Sequence, residues 1–183
     1  MVGEKIYRQP ESFLQYKSSL ANVYIVVFIA PLAEELCYRL YLLRSRFTLS
    51  VSFFFFFYFL SSLATKSPFY AVLNDTFLLR VSMSLAAVLL ININSFSILK
   101  KLTNVRLKYF IWFSCLSFAL MHLTNFVPLS FYQQLFFPVL IFVQFVYAVV
   151  FAFFRLRHGF IWAVLLHVFI NATGFAFAYF TNK

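Results

Sequence analysis

Between residues 20 and 180 the chain is a succession of long apolar runs almost free of charge, and no other feature constrains its fold as much. One of these runs reads FFFFFYF over residues 53–59. Roughly 20 residues of helix cross the hydrocarbon of a bilayer, and six segments of about that length can be drawn. They cover residues 20–43, 47–64, 77–99, 109–129, 135–154 and 159–180. The runs are continuous and lack the ten-residue alternation of barrel strands, so they predict helices. A water-facing domain carries about 25% charged residues, whereas here the figure is 11% with 63% hydrophobic. With three Gly and five Pro, disorder and fibrous repeats are excluded as well. The expected fold is all-α: a polytopic transmembrane helical bundle of about six spans. It forms one domain over residues 20–183, preceded by a polar, interfacial segment at residues 1–19.

The formal net charge of +10 does not indicate nucleic acid. Its bases fall in short clusters between the apolar runs: Arg44 and Arg46, Lys100 to Lys108, Arg155 and Arg157. A nucleic-acid footprint would be a continuous basic face, whereas basic clusters at span ends mark cytoplasmic loops. With six spans, residues 44–46, 100–108 and 155–158 share one side, and they hold eight bases and no acid. That side is expected to be cytoplasmic. Cys37 and Cys115 lie within apolar runs, which argues against a disulfide framework. The N-terminal stretch has no apolar core, so it does not read as a cleavable signal peptide.

Against this background two of the five acids, Glu34 and Glu35, stand side by side inside the first apolar run, in the pattern Glu34-Glu35-x-x-x-Arg39. A charge at mid-span costs about 3 kcal/mol on insertion scales. On a helix Glu35 and Arg39 are i,i+4 neighbours able to pair, while Glu34 lies about 100° around the axis. Pro31 should kink the helix just before them. An ion pair that fixes helix register accounts for one such acid but leaves the second without a purpose. The fourth run contains Phe118-x-x-x-His122 and the sixth His167-x-x-x-Asn171; taken singly, each could be an interhelical polar clamp.

Depth joins these three signals. Glu34 lies ten residues from Arg44, His167 ten from Arg157, and His122 fourteen from Lys108. At 1.5 Å per residue each is roughly 15–21 Å from the basic side. A carboxylate, two imidazoles and an amide at one level should share a hydrated cavity. Such a set suits hydrolysis, with the carboxylate as base on water and the imidazole and amide holding an oxyanion. A proton relay or transporter uses the same residue types and remains the competing reading. So does a catalytically silent immunity or scaffold protein.

The three motifs, in this order, resemble those of the CAAX protease and bacteriocin-processing (Abi) family of intramembrane endopeptidases. The likeness covers residues 31–174 and includes the stretch FAFFRLRHGFIWAVLLHVFINATG. Tyr38-Arg39-Leu40 stands where the family often has Phe-Arg-Gly. The resemblance implies that Glu34 activates water with help from His122, that His167 and Asn171 stabilise the oxyanion, and that Glu35 and Arg39 support the site. It also implies a membrane-associated or prenylated protein or peptide as substrate, with the site opening toward the cytoplasm. A metal-free mechanism is preferred because H-E-x-x-H is missing and a glutamate-activated water needs no metal. Zn2+ held by Glu34, His122 and His167 is the alternative.

Overall fold

The computed structural model describes residues 23–72, 74–93, 95–123 and 135–181. The proposed interfacial segment at residues 1–19 and the end of the fourth apolar run lie outside them. Every regular element among the described residues is helical. We number the helices α1 (Ala30–Tyr38), α2 (Arg46–Ala64), α3 (Phe77–Ile93), α4 (Ser95–Asn104), α5 (Leu107–Met121), α6 (Phe137–His158) and α7 (Phe160–Thr181). By length and composition α2, α6 and the Phe160–Phe177 part of α7 can each cross a membrane, and α3 and α5 are shorter apolar helices.

The first apolar run is not one straight helix. A π-wound turn, Ile25–Ile29, leads into α1, with Pro31 in the first turn of the α-helical part. The Ala30 N–H bonds the Ile25 carbonyl five residues back. The same register would pair the Val26 carbonyl with residue 31, which is proline and has no N–H. Widening the turn therefore accommodates the ring and leaves one carbonyl to be filled from outside. At its other end α1 stops at Arg39 (φ −122°, ψ −21°), followed by a 3-10 turn, Leu40–Leu43, and a left-handed Arg44 at φ 54°. Helix ends within an apolar medium need partners for their last carbonyls, and hydroxyls from two neighbours supply them here. Ser52 of α2 donates to the Leu36 carbonyl at 2.8 Å, and Ser114 of α5 donates to that of Tyr38.

In α2 the usual sense of amphipathicity is inverted. Its buried residues include Thr48, Ser52, Ser61 and Ser62, while the run of phenylalanines is only partly covered. Hydroxyls gain by turning inward to acceptors, whereas lipid accepts phenylalanine without penalty. Ser45 and Thr48 close the start of α2 as a capping box, each accepting the other's backbone N–H at 3.1 Å. The same logic leaves Trp112, Phe142, Phe169 and Phe177 exposed on α5, α6 and α7.

Along the third apolar run, expected as a single span over residues 77–99, the described residues are helical as α3 up to Ile93 and as α4 from Ser95, with Lys100 and Lys101 on α4. The Asn92 amide donates to the Val88 carbonyl at 3.0 Å. The fifth run does not end at Phe154, because α6 continues to His158 and carries Arg155 as a helical residue. Gly159 alone joins α6 to α7 at φ 100°, a backbone angle that side-chain-bearing residues rarely adopt.

α1 is the hub, packed on α2, α5 and α7, with α6 closing the ring against α5 and α7; α3 packs outside on α2. The core between these helices contains Ala33, Cys37, Tyr38, Cys115, Phe118, Ala148, Phe151 and Ala152. Alanines at the crossings let the backbones approach closely. Cys37 and Cys115 are buried free thiols.

Candidate active site

Glu34 and Glu35 occupy the last turns of α1, where its path between α5 and α7 directs both carboxylates inward. Glu35 has a fully buried side chain and faces Arg39 one turn on, Oε1 to Nη1 at 3.7 Å. That is the i,i+4 pair the sequence predicts, at Coulombic rather than hydrogen-bonding distance. Its firmer contact is with α7, where His167 Nδ1 lies 3.1 Å from the same Oε1. Glu34 points instead toward the two histidines. Its Oε2 is 3.6 Å from His167 Nε2 and 3.8 Å from His122 Nε2. Glu34 and His122 each keep 18% side-chain exposure, while Glu34 Oε2 itself is buried.

The hydrogen positions follow from what each ring faces. His122 Nδ1 lies 2.9 Å from the Phe118 carbonyl, an acceptor, so this nitrogen carries the hydrogen. His167 Nδ1 faces a carboxylate and must likewise donate. In a neutral ring each Nε2 is then a lone pair, and both are directed at a carboxylate oxygen that has no hydrogen-bond partner of its own. Three acceptors separated by 3.6 and 3.8 Å are too far apart to bond directly and suit a shared hydrogen donor. A water molecule is the simplest species that fits.

Aromatic rings hold these polar groups. Phe118 carries the Arg39 guanidinium over its face at 4.1 Å, the His122 ring at 4.3 Å and the Tyr38 ring edge-on at 5.6 Å. Phe151 of α6 stacks on His167 with centroids 4.2 Å apart and planes 20° from parallel. The sequence reading gave Phe118 no role of its own and missed Phe151, which is hard to single out among 29 phenylalanines. The spacing of Ala148, Phe151, Ala152 and Arg155, a helical stripe with two small residues, was the available signal.

Of the six residues singled out from the sequence, Glu34, Glu35, Arg39, His122 and His167 come together around this point. Asn171, one turn along α7 from His167, donates its amide Nδ2 to the Val26 carbonyl at 3.1 Å. That is the acceptor the π-turn and Pro31 leave without a backbone partner. His158 sits exposed at the end of α6.

The donor types would suit zinc, since two imidazoles with engaged Nδ1 atoms and a carboxylate are a familiar ligand set. Among the described residues no group of three His, Cys, Asp or Glu side chains is positioned to hold a metal ion.

Comparison with known proteins bears on the same motifs. No curated protein and no solved structure matches the chain. A family model described as type II CAAX prenyl endopeptidase Rce1-like matches residues 16–173, which takes in the Glu34-Glu35-x-x-x-Arg39, Phe118-x-x-x-His122 and His167-x-x-x-Asn171 motifs. The chain, an integral membrane protein built of apolar helices, therefore belongs to the Rce1-like family of CAAX prenyl endopeptidases.

Proposed function

We propose that this protein hydrolyses a peptide bond near the C-terminus of a prenylated, membrane-associated protein, using a water activated by Glu34 and no metal. The observation that carries the reading is the convergence of Glu34 Oε2 with the Nε2 atoms of His122 and His167, at 3.8 and 3.6 Å. Glu34 accepts a proton from the water, and His122 Nε2 accepts the second hydrogen bond and orients it. The hydroxide oxygen bonds to the scissile carbonyl carbon, whose oxygen becomes an oxyanion. His167, in its doubly protonated form with Nδ1–H held by Glu35, offers Nε2–H to that oxyanion. The proton on Glu34 passes to the nitrogen as the C–N bond breaks, giving a carboxylic acid and an amine.

The remaining residues support this geometry. Arg39 balances the charge of Glu35 from its bed on Phe118. Asn171 spends one amide hydrogen on Val26, which docks the start of α1 against α7, and keeps a second for the oxyanion. We assign six membrane crossings, with residues 44–46, 100–108 and 155–158 on the cytoplasmic side and the site opening toward it.

The test is cleavage of a fluorogenic S-farnesyl Cys-a-a-X peptide by protein purified in detergent. Glu34→Gln and His167→Ala should each lower the rate by at least about 100-fold with gel-filtration profiles unchanged. Full cleavage by Glu34→Gln sinks the mechanism, and no cleavage by folded wild type favours a silent or transporting membrane protein. Activity that survives chelation, with metal content below stoichiometric, is the expected result for a metal-free site.

A further inference from the structure

Arg155 and Arg157 look alike in sequence, as two bases of one short cluster, but α6 separates them. Arg157 is exposed, whereas Arg155 is only 7% exposed. It continues the buried stripe of α6 made by Ala148, Phe151 and Ala152. Phe151 is the ring stacked on His167 at 4.2 Å, and Arg155 lies one turn beyond it on the same face, roughly 6 Å along the axis. Arg155 thus stands one turn along the buried face of α6 from the ring that touches His167.

What sets Arg155 apart is what it lacks. Its guanidinium rests over the Phe160 ring at 5.2 Å, and its Nε is sealed from solvent with no hydrogen-bond partner. Among the described residues every acid–base contact within 4.0 Å involves Glu34 or Glu35 with Arg39, His122 or His167; none reaches Arg155. The other buried arginines differ: Arg39 has Glu35, and Arg80 has carbonyl, hydroxyl and amide acceptors. A guanidinium nitrogen buried without an acceptor is unfavourable until one meets it. Its planar fork matches a carboxylate, which can take two parallel N–H bonds.

We propose that Arg155 binds the free C-terminal carboxylate of the substrate and so makes this enzyme selective for cleavage close to a chain end. Two or three extended residues span roughly 7–11 Å, the scale of one to two helical turns. A scissile bond at Glu34 and a carboxylate at Arg155 would thus be joined by a short C-terminal segment. The inference rests on the endopeptidase reading above and specifies its substrate end.

The experiment compares two farnesylated Cys-a-a-X peptides identical except that one ends in a carboxylate and the other in a carboxamide. Wild type is expected to prefer the acid by tenfold or more in kcat/KM, mainly through KM. In Arg155→Gln the acid-to-amide ratio should fall to about one, through a raised KM for the acid at nearly constant kcat. Arg155→Lys, which keeps the charge without the fork, should retain part of the preference and also guards against a folding defect. A wild-type ratio near one overturns the proposal and leaves the endopeptidase reading standing. So does a ratio that survives Arg155→Gln, or an equal loss on both peptides, as a lipid-phosphate contact would give. If folded wild type cleaves neither peptide, the endopeptidase reading fails. Fluorescence anisotropy of the two labelled peptides then decides the carboxylate site: acid-selective binding lost in Arg155→Gln upholds it, and equal binding overturns it.

Discussion

Arg39 and Arg80 are both fully buried, and their surroundings differ in what is left unpaired. Arg80 donates from Nε to the Thr76 carbonyl, from Nη1 to Ser62 Oγ and the Pro68 carbonyl, and from Nη2 to the Ala71 carbonyl and Asn74 Oδ1. It also lies 5.1 Å over the Tyr58 ring. Every one of its five N–H groups has an acceptor, and none of the acceptors is charged. The result ties the connection between α2 and α3 to both helices. Arg39 has no hydrogen-bond partner on Nε, Nη1 or Nη2, and Glu34 Oε2, Glu35 Oε2 and the Tyr38 hydroxyl near it are equally unpaired. An apolar protein in lipid has every reason to saturate its polar groups. Where one cluster is saturated and the other is not, the unsaturated one is where substrate and water are expected to complete the bonding.

The sharpest way to break this comparison is to exchange the kinds of damage. Glu34→Gln should reduce cleavage by about 100-fold or more, while the thermal midpoint stays level or rises, because a costly buried charge is removed. Arg80→Met should do the reverse. Leaving its acceptors unfilled is expected to lower stability by about 3 kcal/mol, read as a lower midpoint and poorer yield. The kcat of the folded fraction should remain within about twofold of wild type. If Arg80→Met abolished kcat in well-folded protein, the division into a saturated scaffold and an unsaturated site would be wrong.

A milder test stays within the scaffold cluster. Arg80→Lys keeps the charge but offers three donors in place of five, so at least two acceptors lose their partners. A loss of about 1–2 kcal/mol is expected, intermediate between wild type and Arg80→Met in a denaturation series. Equal damage from Lys and Met would mean that the planar fork alone matters.

The sequence exposed one of these clusters far better than the other, for a physical reason. Glu34, Glu35, Arg39, His122 and His167 are side chains whose presence in a span is costly, so their positions alone point to a site. Arg80 was visible as a polar residue in the third run, but most of its partners are backbone carbonyls, which every residue type supplies and no motif records. Arg155 was placed in a loop because a basic residue at the end of an apolar run looks the same whether it faces solvent or core. Only the phase of α6, set by Ala148 and Phe151, separates the two cases.

Asn171 shows where a single motif position serves two ends, and it yields the smallest of the expected effects. Its Nδ2 lies 3.1 Å from the Val26 carbonyl, which the register of the π-turn would otherwise pair with the missing N–H of Pro31. Asn171→Ala should therefore loosen the start of α1 on α7 and lower kcat about tenfold, or about 1.4 kcal/mol. Pro31→Ala added to it provides a backbone N–H at position 31 that can reach the same carbonyl. If anchoring is the main contribution, the double variant recovers most of the lost rate and midpoint, and a double-mutant cycle shows strong coupling between two residues with no shared chemistry. If the amide acts chiefly on the oxyanion, Pro31→Ala restores the midpoint alone and kcat stays down. We expect recovery of both, because the reacting groups on α1 are placed by the turn that Asn171 holds.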